Sequence, residues 1–480
     1  FAWFPGVPIF RSTDLVSWTQ IGHVLDRASQ LPLEGLGVSR GIFAPTIRYH
    51  DGLFYMITTL VEAGGNFYVT ATDPAGPWSD PVWLPEVDGI DPSLFFDNDG
   101  RVFVTNNGGP DYEPLYEGHR AIWIQELDLA TSKMVGPRKL IVDGGVDLST
   151  EPIWVEAPHL FKVEDWYYLI AAEGGTEFFH SEVVFRSREP LGPYEPGPIN
   201  PILTQRTLDP DRPFPVIATG HADFVQTPGG DWWAVFLACR PYEDTLYNTG
   251  RETFLHPVTW EDGWPMILDP SLPVPLALPA PDLPPGQPAP TPLTGNFTWR
   301  DEFDSPELAF VWNSLRGPSD TWVDLESSPG VVTLIASSEQ LSGTSTPTFL
   351  ARRQQHASFS ASTSLRLPLP EGISAGIAAF QNESHHFYFG VRRTSDRWSI
   401  FLERAAGDNP SSMAQQALSP GEADRIELRI EAEGRPYSFS YRLGTGDWVT
   451  LAEGVDGSIL STEVAKGFVG SYVGLHTRVE

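Results

Sequence analysis

Along most of this chain apolar residues alternate with polar ones in short runs that end at Gly, Pro, Asp or Asn, and stretches of helical period are scarce. Successive side chains of a strand point to opposite faces, so the pattern predicts strands. The runs are rich in aromatic and β-branched residues, which suit a pleated and half-buried surface. The expected fold class is all-β.

Four of these runs repeat one another: APTIRYHDGLFYMITT from Ala44, DPSLFFDNDGRVFVTN from Asp91, APHLFKVEDWYYLIAA from Ala157 and HADFVQTPGGDWWAVFLA from His221. Each reads as a hairpin around a turn supplied by HDG, DNDG, VED or PGG. Their starts lie 47, 66 and 64 residues apart, near the spacing of four-stranded propeller blades with insertions. A more polar strand pair follows the first three hairpins, as in FYVTATDPAGPWSDPVWL. VPIFRSTDLVSWTQIG, from Val7, matches that outer pair with no inner hairpin ahead of it. The expectation is a five-bladed β-propeller whose first blade is incomplete in this chain, with roughly 25 residues of inner hairpin preceding Phe1.

Pro270 to Pro292 holds 10 prolines in 23 residues, a stiff extended spacer by composition. Beyond it, strands such as SAGIAAFQN, HHFYFGVRR, RIELRIEAEG and GFVGSYVGLHT recur at sandwich spacing. The expected division is a propeller over 1–270, a linker over 271–295 and a jelly-roll or lectin-like β-sandwich over 296–480, whose end, YVGLHTRVE, is expected to stop a strand or two early.

Composition narrows the function. The 480 residues carry 62 Asp and Glu against 31 Lys and Arg, a formal charge of −31, which repels phosphate backbones and anionic membranes. Nucleic-acid and membrane partners are therefore not expected, and a homo-oligomer stays open. Cys239, the single cysteine, has no disulfide partner in the chain and reads as packing. No phosphate-binding loop, dinucleotide fingerprint or zinc motif occurs.

The heads of the inner strands face the axis of a propeller, and there stand Asp91, Glu156 and His221. Two carboxyl groups at one pocket are the equipment for hydrolysing a glycosidic bond. Glu156 enters an apolar strand between Val155 and Ala157-Pro158, where burial raises a carboxyl group toward the range of a general acid. Asp91-Pro92 is equally a common turn. His221 reads as a core histidine or a ligand, and Arg251 as a clamp on sugar hydroxyls or a structural ion-pair partner. Trp3, Phe4 and Phe43 are candidates to stack on sugar faces.

FAWFPGVPIFRSTDLVSW, GIFAPTIRYHDGLFY, GIDPSLFFDNDG, VEAPHLFK, YYLIAAEGGTEFFH, GHADFVQTPGGDWWAVFLACRP and GRETFLHPVTWEDGWP resemble, in this order, the signatures of glycoside hydrolase family 43, specifically its two-domain β-xylosidases. WRDEFDSPELAFVWN resembles the start of their C-terminal sandwich. The resemblance implies an inverting exo-β-xylosidase acting on β-1,4-xylo-oligosaccharides or arabinoxylan-derived fragments. It implies Glu156 as general acid, Asp91 as the carboxylate that orients the site and raises the acid's pKa, and Phe1, Phe43, His221 and Arg251 as sugar-binding residues. No cofactor is required on this reading, and His221 is a candidate ligand of a structural calcium ion in the channel. Phe43 stands where the family usually has Trp. The family's general base, an Asp in a Tyr-Pro-Asp-Pro-Ser segment, is expected upstream of Phe1 and does not occur in these residues. α-L-Arabinofuranosidase activity, alone or combined, and a catalytically impaired sugar-binding fragment are the alternatives. The sandwich is expected to close the pocket with Phe468 and Tyr472.

Overall fold

The computed structural model describes residues 1–395, 397–407, 409–421 and 423–480, and nearly all its regular structure is β. Four antiparallel sheets follow one another through the first part of the chain. Their opening hairpins are Ile42–His50 with Leu53–Leu60, Ile90–Phe96 with Val102–Gly108, Glu156–Val163 with Trp166–Glu173, and Ile217–Gln226 with Trp232–Cys239. These are the four repeats, and the outer strands Gly65–Ala71, Ala121–Asp128, Ser181–Ser187 and Glu252–Glu261 extend each meander. Ahead of them, Gly6–Arg11 pairs with Thr19–Leu25 as a separate two-stranded sheet. Apolar clusters fill the gaps between consecutive sheets. One of them joins Phe95, Phe103 and Ile122 to Leu160, Leu169 and Phe185.

Every inner strand begins with the same irregularity. Ala44, Asp91, Ala157 and His221, the first residue of each repeat, take φ values of 23°, 54°, 54° and 53°. Strand register shifts at each of these places. A non-glycine residue in the left-handed region is strained by about 1–3 kcal/mol, and such bulges re-aim side chains beside functional sites. Here the bulge falls on Asp91, whose side chain is buried. The third residue of each repeat is polar and ties inner strands together. Thr46 donates to the Pro92 carbonyl at 3.2 Å, and Ser93 to the Pro158 carbonyl at 2.6 Å. At the fourth repeat Asp223 accepts two hydrogen bonds from Arg48 of the first, at 2.6 and 3.0 Å, which closes the ring.

The remaining strands form two sheets packed face to face. The four-stranded sheet runs Ser358–Arg366, Arg425–Glu433, Pro436–Leu443, Val449–Asp456. The eight-stranded sheet includes Ile373–Asn382, His385–Thr394 and Arg397–Ala406, and Phe387, Phe389, Ile400 and Leu402 bury against Ile426, Leu428, Ile430 and Phe439. Alternation along each strand makes this double layer. The last strand, Tyr472–Val479, is interior to the eight-stranded sheet, between Phe349–Arg353 and Ile373–Asn382.

Three sequence expectations are altered. Trp3–Phe4 forms a strand of the sandwich sheet, paired with Asn313–Leu315, and both aromatics are buried, so neither is free to stack on sugar. The proline-rich segment forms no strand but is strapped to the propeller. Val274 is buried there, with its amide on Gln205 Oε1 at 3.0 Å, and Gly286 donates to Asp14 at 2.6 Å. Tyr472 stacks on Trp3 with centroids 3.7 Å apart, in the sandwich sheet and away from the pocket.

Propeller and sandwich meet through fixed polar contacts. Asn248 donates to the Tyr437 hydroxyl and the Gly457 carbonyl, both at 3.1 Å, and Ser471 donates to the Asn248 carbonyl at 2.8 Å. Gly250, at φ +67°, lies against Gly470 so closely that a Cβ would sit 2.5 Å from the Gly470 nitrogen. That contact sets Arg251 beside the loop that carries Phe468.

Candidate active site

Asp91 and Glu156 head neighbouring inner strands and are both buried. The Asp91 carboxylate accepts the Ala157 amide at 3.3 Å, which places it beside Glu156. Burial pushes Glu156 up to about 8, and the negative charge of Asp91 adds to the rise against the opposing charges of Arg251 and Arg120. Burial also raises Asp91, while the Ala157 amide and Arg251 hold it back. Both carboxyl groups are pushed upward by burial, so the pair retains a proton more readily than free carboxyls do, and the charge of Asp91 favours Glu156 as its holder.

Arg251 precedes the strand Glu252–Glu261, and its guanidinium lies 5.0 Å from the centroid of the Phe468 ring. Phe468 also meets Phe43 edge-on at 5.6 Å. A cleft of about 390 Å³ opens between the two domains there, lined by Trp154, Tyr247, Arg251 and Phe468 among others, within the usual range of about 300–1,000 Å³ for ligand pockets. Asp91 and Glu156 do not line this cleft. Arg251 does, and its charge reaches both of them. Phe1 sits beside the Phe43 strand, with its carbonyl accepting the Ile42 amide at 3.1 Å and its ring packed on the sandwich cluster around Trp3.

His221 lies in the channel with its ring 6.3 Å from that of His159. Burial, then the neighbouring His159, His180 and Arg251, keep it well below the usual histidine range, so it is neutral. Glu182, fully buried, accepts the amide of Ala222, the residue after His221, at 2.9 Å, and burial drives its carboxyl group well upward. Among the described residues no three His, Cys, Asp or Glu side chains group closely enough to hold a metal ion. The nearby Asp223 is engaged by Arg48 through both oxygens. Glu182, Arg120 and the Arg48–Asp223 pair are missing from the sequence-based candidates. The polar third residue of every repeat was the signal for Asp223. Glu182 showed only as an acidic residue opening the apolar run EVVF.

A propeller with two adjacent buried carboxyl groups, close to a cleft that Arg251 lines, carries the equipment of a glycosidase. The model of glycosyl hydrolases family 43 matches residues 1–265, and that of the beta xylosidase C-terminal concanavalin A-like domain matches residues 300–478. The chain belongs to glycosyl hydrolase family 43. It is similar to a xylosidase/arabinosidase of Butyrivibrio fibrisolvens, 40% identical over 99% of this chain and 90% of the relative. A non-reducing end alpha-L-arabinofuranosidase of Bacteroides ovatus is 34% identical over 99% and 85%. Among solved structures, the xylan beta-1,4-xylosidase of Bacillus halodurans C-125 superposes with a TM-score of 0.90 at 33% identity, covering 100% of this chain and 91% of that one.

Proposed function

We propose that the chain is an inverting exo-β-xylosidase that releases xylose from the non-reducing end of β-1,4-xylo-oligosaccharides, with Glu156 as the general acid. The observation that carries this is the buried carboxyl pair, with Asp91 on the Ala157 amide beside Glu156 and burial together with Asp91 pushing Glu156 upward. Glu156 donates its proton to the glycosidic oxygen as the bond from the anomeric carbon breaks, and the leaving sugar departs as a neutral alcohol. Asp91 keeps that proton on Glu156 until the oxygen gains charge, and Arg251 orients the sugar and steadies the carboxylate left behind. Water adds to the opposite face of the ring and gives up its proton to a general base, a group distinct from Glu156 and Asp91. The residues assigned here supply the proton-donating half of the reaction. His221, being neutral, accepts or donates a hydrogen bond to a sugar hydroxyl, and Phe43 with Phe468 offers an apolar wall.

The names of the similar proteins support both pentose activities, and the arabinofuranosidase relative favours α-L-arabinofuranosidase as the second reading. Parallel assays on 4-nitrophenyl β-xylopyranoside and 4-nitrophenyl α-arabinofuranoside rank the two. A kcat/KM for the arabinoside above that for the xyloside makes the second reading the main one. Release of β-xylose as the first product, seen by NMR, contradicts inversion.

A further inference from the structure

Glu182 has no part in the proton-donating machinery, yet its carboxyl group is wholly buried. Burying such a group is costly unless polar contacts offset the loss of water. Here those contacts converge on one place. Oε2 accepts the Ala222 amide at 2.9 Å, and the His221 amide also faces the carboxyl group. Among the described residues Oε1 has no hydrogen-bond partner. The hydrogen bonding of this side chain is thus directed at residues 221 and 222, the head of the fourth inner strand.

The backbone there is weakly held by its own sheet. In Ile217–Gln226 the register shifts twice, between Ile217 and Gly220 and again between Gly220 and Asp223, whereas the other three inner strands shift once. Ala218, Thr219, His221 and Ala222 have no opposite residue on Trp232–Cys239. Ala218 and His221 take φ values of 54° and 53°, a strained setting for residues other than glycine. The buried Ala222 amide needs an acceptor that the ladder does not give, and Glu182 supplies it from the preceding sheet. The same device recurs one sheet earlier, where Asp91 accepts the Ala157 amide at the head of the third inner strand. His180 braces the same strand head. Its Nδ1 donates to the Gly175 carbonyl, and its ring lies against Gly220, where a Cβ would stand 2.5 Å from Cδ2 and 2.7 Å from Nε2.

We propose that Glu182 is a positioning residue for His221: by holding the Ala222 amide across the gap between the third and fourth sheets, it keeps the imidazole in place in the channel for its hydrogen bond to the sugar. Glu182 acts through the backbone of the strand head and touches no substrate. The proposal rests on the glycosidase reading in which His221 bonds a sugar hydroxyl, and not on which pentose is released.

The test is a double-mutant cycle in the full chain. It compares kcat/KM of Glu182→Ala, His221→Ala and the double variant on whichever nitrophenyl pentoside, the β-xylopyranoside or the α-arabinofuranoside, the parent hydrolyses faster. Each single variant is expected to lose about tenfold, the size of one hydrogen bond to the sugar, and the double variant no more than about twofold beyond His221→Ala. Glu182→Gln, whose side-chain oxygen still accepts the amide, is expected to recover to within about threefold of the parent. Losses that multiply in the double variant, or equal losses in Glu182→Gln and Glu182→Ala, overturn the proposal. Should Glu182→Ala fail to fold, Glu182→Asp, which keeps the carboxyl group and withdraws it by one methylene, takes its place in the cycle. Imidazole NMR of ¹⁵N-histidine protein separates the placement from the sugar contact. The His221 signals, identified by their absence from His221→Ala, are expected to move in Glu182→Ala while those of His119 and His385 stay in place. Parental activity of His221→Ala overturns the sugar contact alone, and moved His221 signals then still support its placement by Glu182. Unmoved signals overturn that placement under either reading.

Discussion

Phe468 of the sandwich meets Phe43 of the propeller edge to face, with ring centroids 5.6 Å apart. The wall beside Arg251 is therefore completed by a residue from the other domain. Fusion of the sandwich to the propeller is part of the site's construction.

Truncating Phe468 to Ala is expected to raise KM for 4-nitrophenyl β-xylopyranoside about fivefold with a smaller change in kcat. Phe43→Ala should do the same, and the double variant should lose less than the sum, because the two rings act through one contact. Strict additivity in that cycle speaks against a shared wall.

Asp91→Asn is expected to move the alkaline limb of the kcat profile to lower pH. The limb marks loss of the proton from Glu156, and removing the neighbouring negative charge makes that proton easier to lose. A limb that stays in place makes Asp91 a turn residue only.

Glu156→Gln is expected to stabilise the protein at pH 8 more than at pH 4. The folded-state value of Glu156, about 8, lies above its ordinary 4.5, so between these values the folded chain binds more protons than the unfolded one. Stability then falls as pH rises through that window, and an uncharged amide removes the fall. Melting temperatures of both proteins across pH 4–9 read this directly, and parallel curves contradict it.

Gly250→Ala is expected to lose about 2–4 kcal/mol in urea unfolding, from a left-handed backbone and from overpacking. The new methyl meets the Gly470 backbone nitrogen at 2.5 Å. Since Gly250 precedes Arg251, KM should rise as well. An unchanged unfolding midpoint shows that the domains separate freely there.

Much of this architecture was legible in the chain, and the reasons differ by element. The four hairpins showed because both strands of each repeat unit carry aromatics around a turn. The sandwich showed because its strands alternate cleanly. Trp3 and Phe4 misled because two aromatics at a chain start look exposed, whereas their strand pairs with Asn313–Leu315, far away in sequence. Tyr472 misled through alternation itself. It pairs with Arg353 on one side and Phe380 on the other, and its ring turns to Trp3. Asp91 and Glu156 showed as carboxyl groups at the heads of inner strands, but the rise of both depends on burial, opposed by Arg251, which no local pattern contains. Glu182 is hidden for the same reason, since its partner Ala222 belongs to the next sheet.

The central claim is that Glu156 delivers the proton to the leaving oxygen. The most direct measurement compares kcat/KM of Glu156→Ala with the parent on xylobiose and on 2,4-dinitrophenyl β-xylopyranoside, whose leaving group departs with little protonation. The account predicts a loss of about 10²–10⁴ on xylobiose and less than about tenfold on the dinitrophenyl substrate. Equal losses on both substrates contradict it.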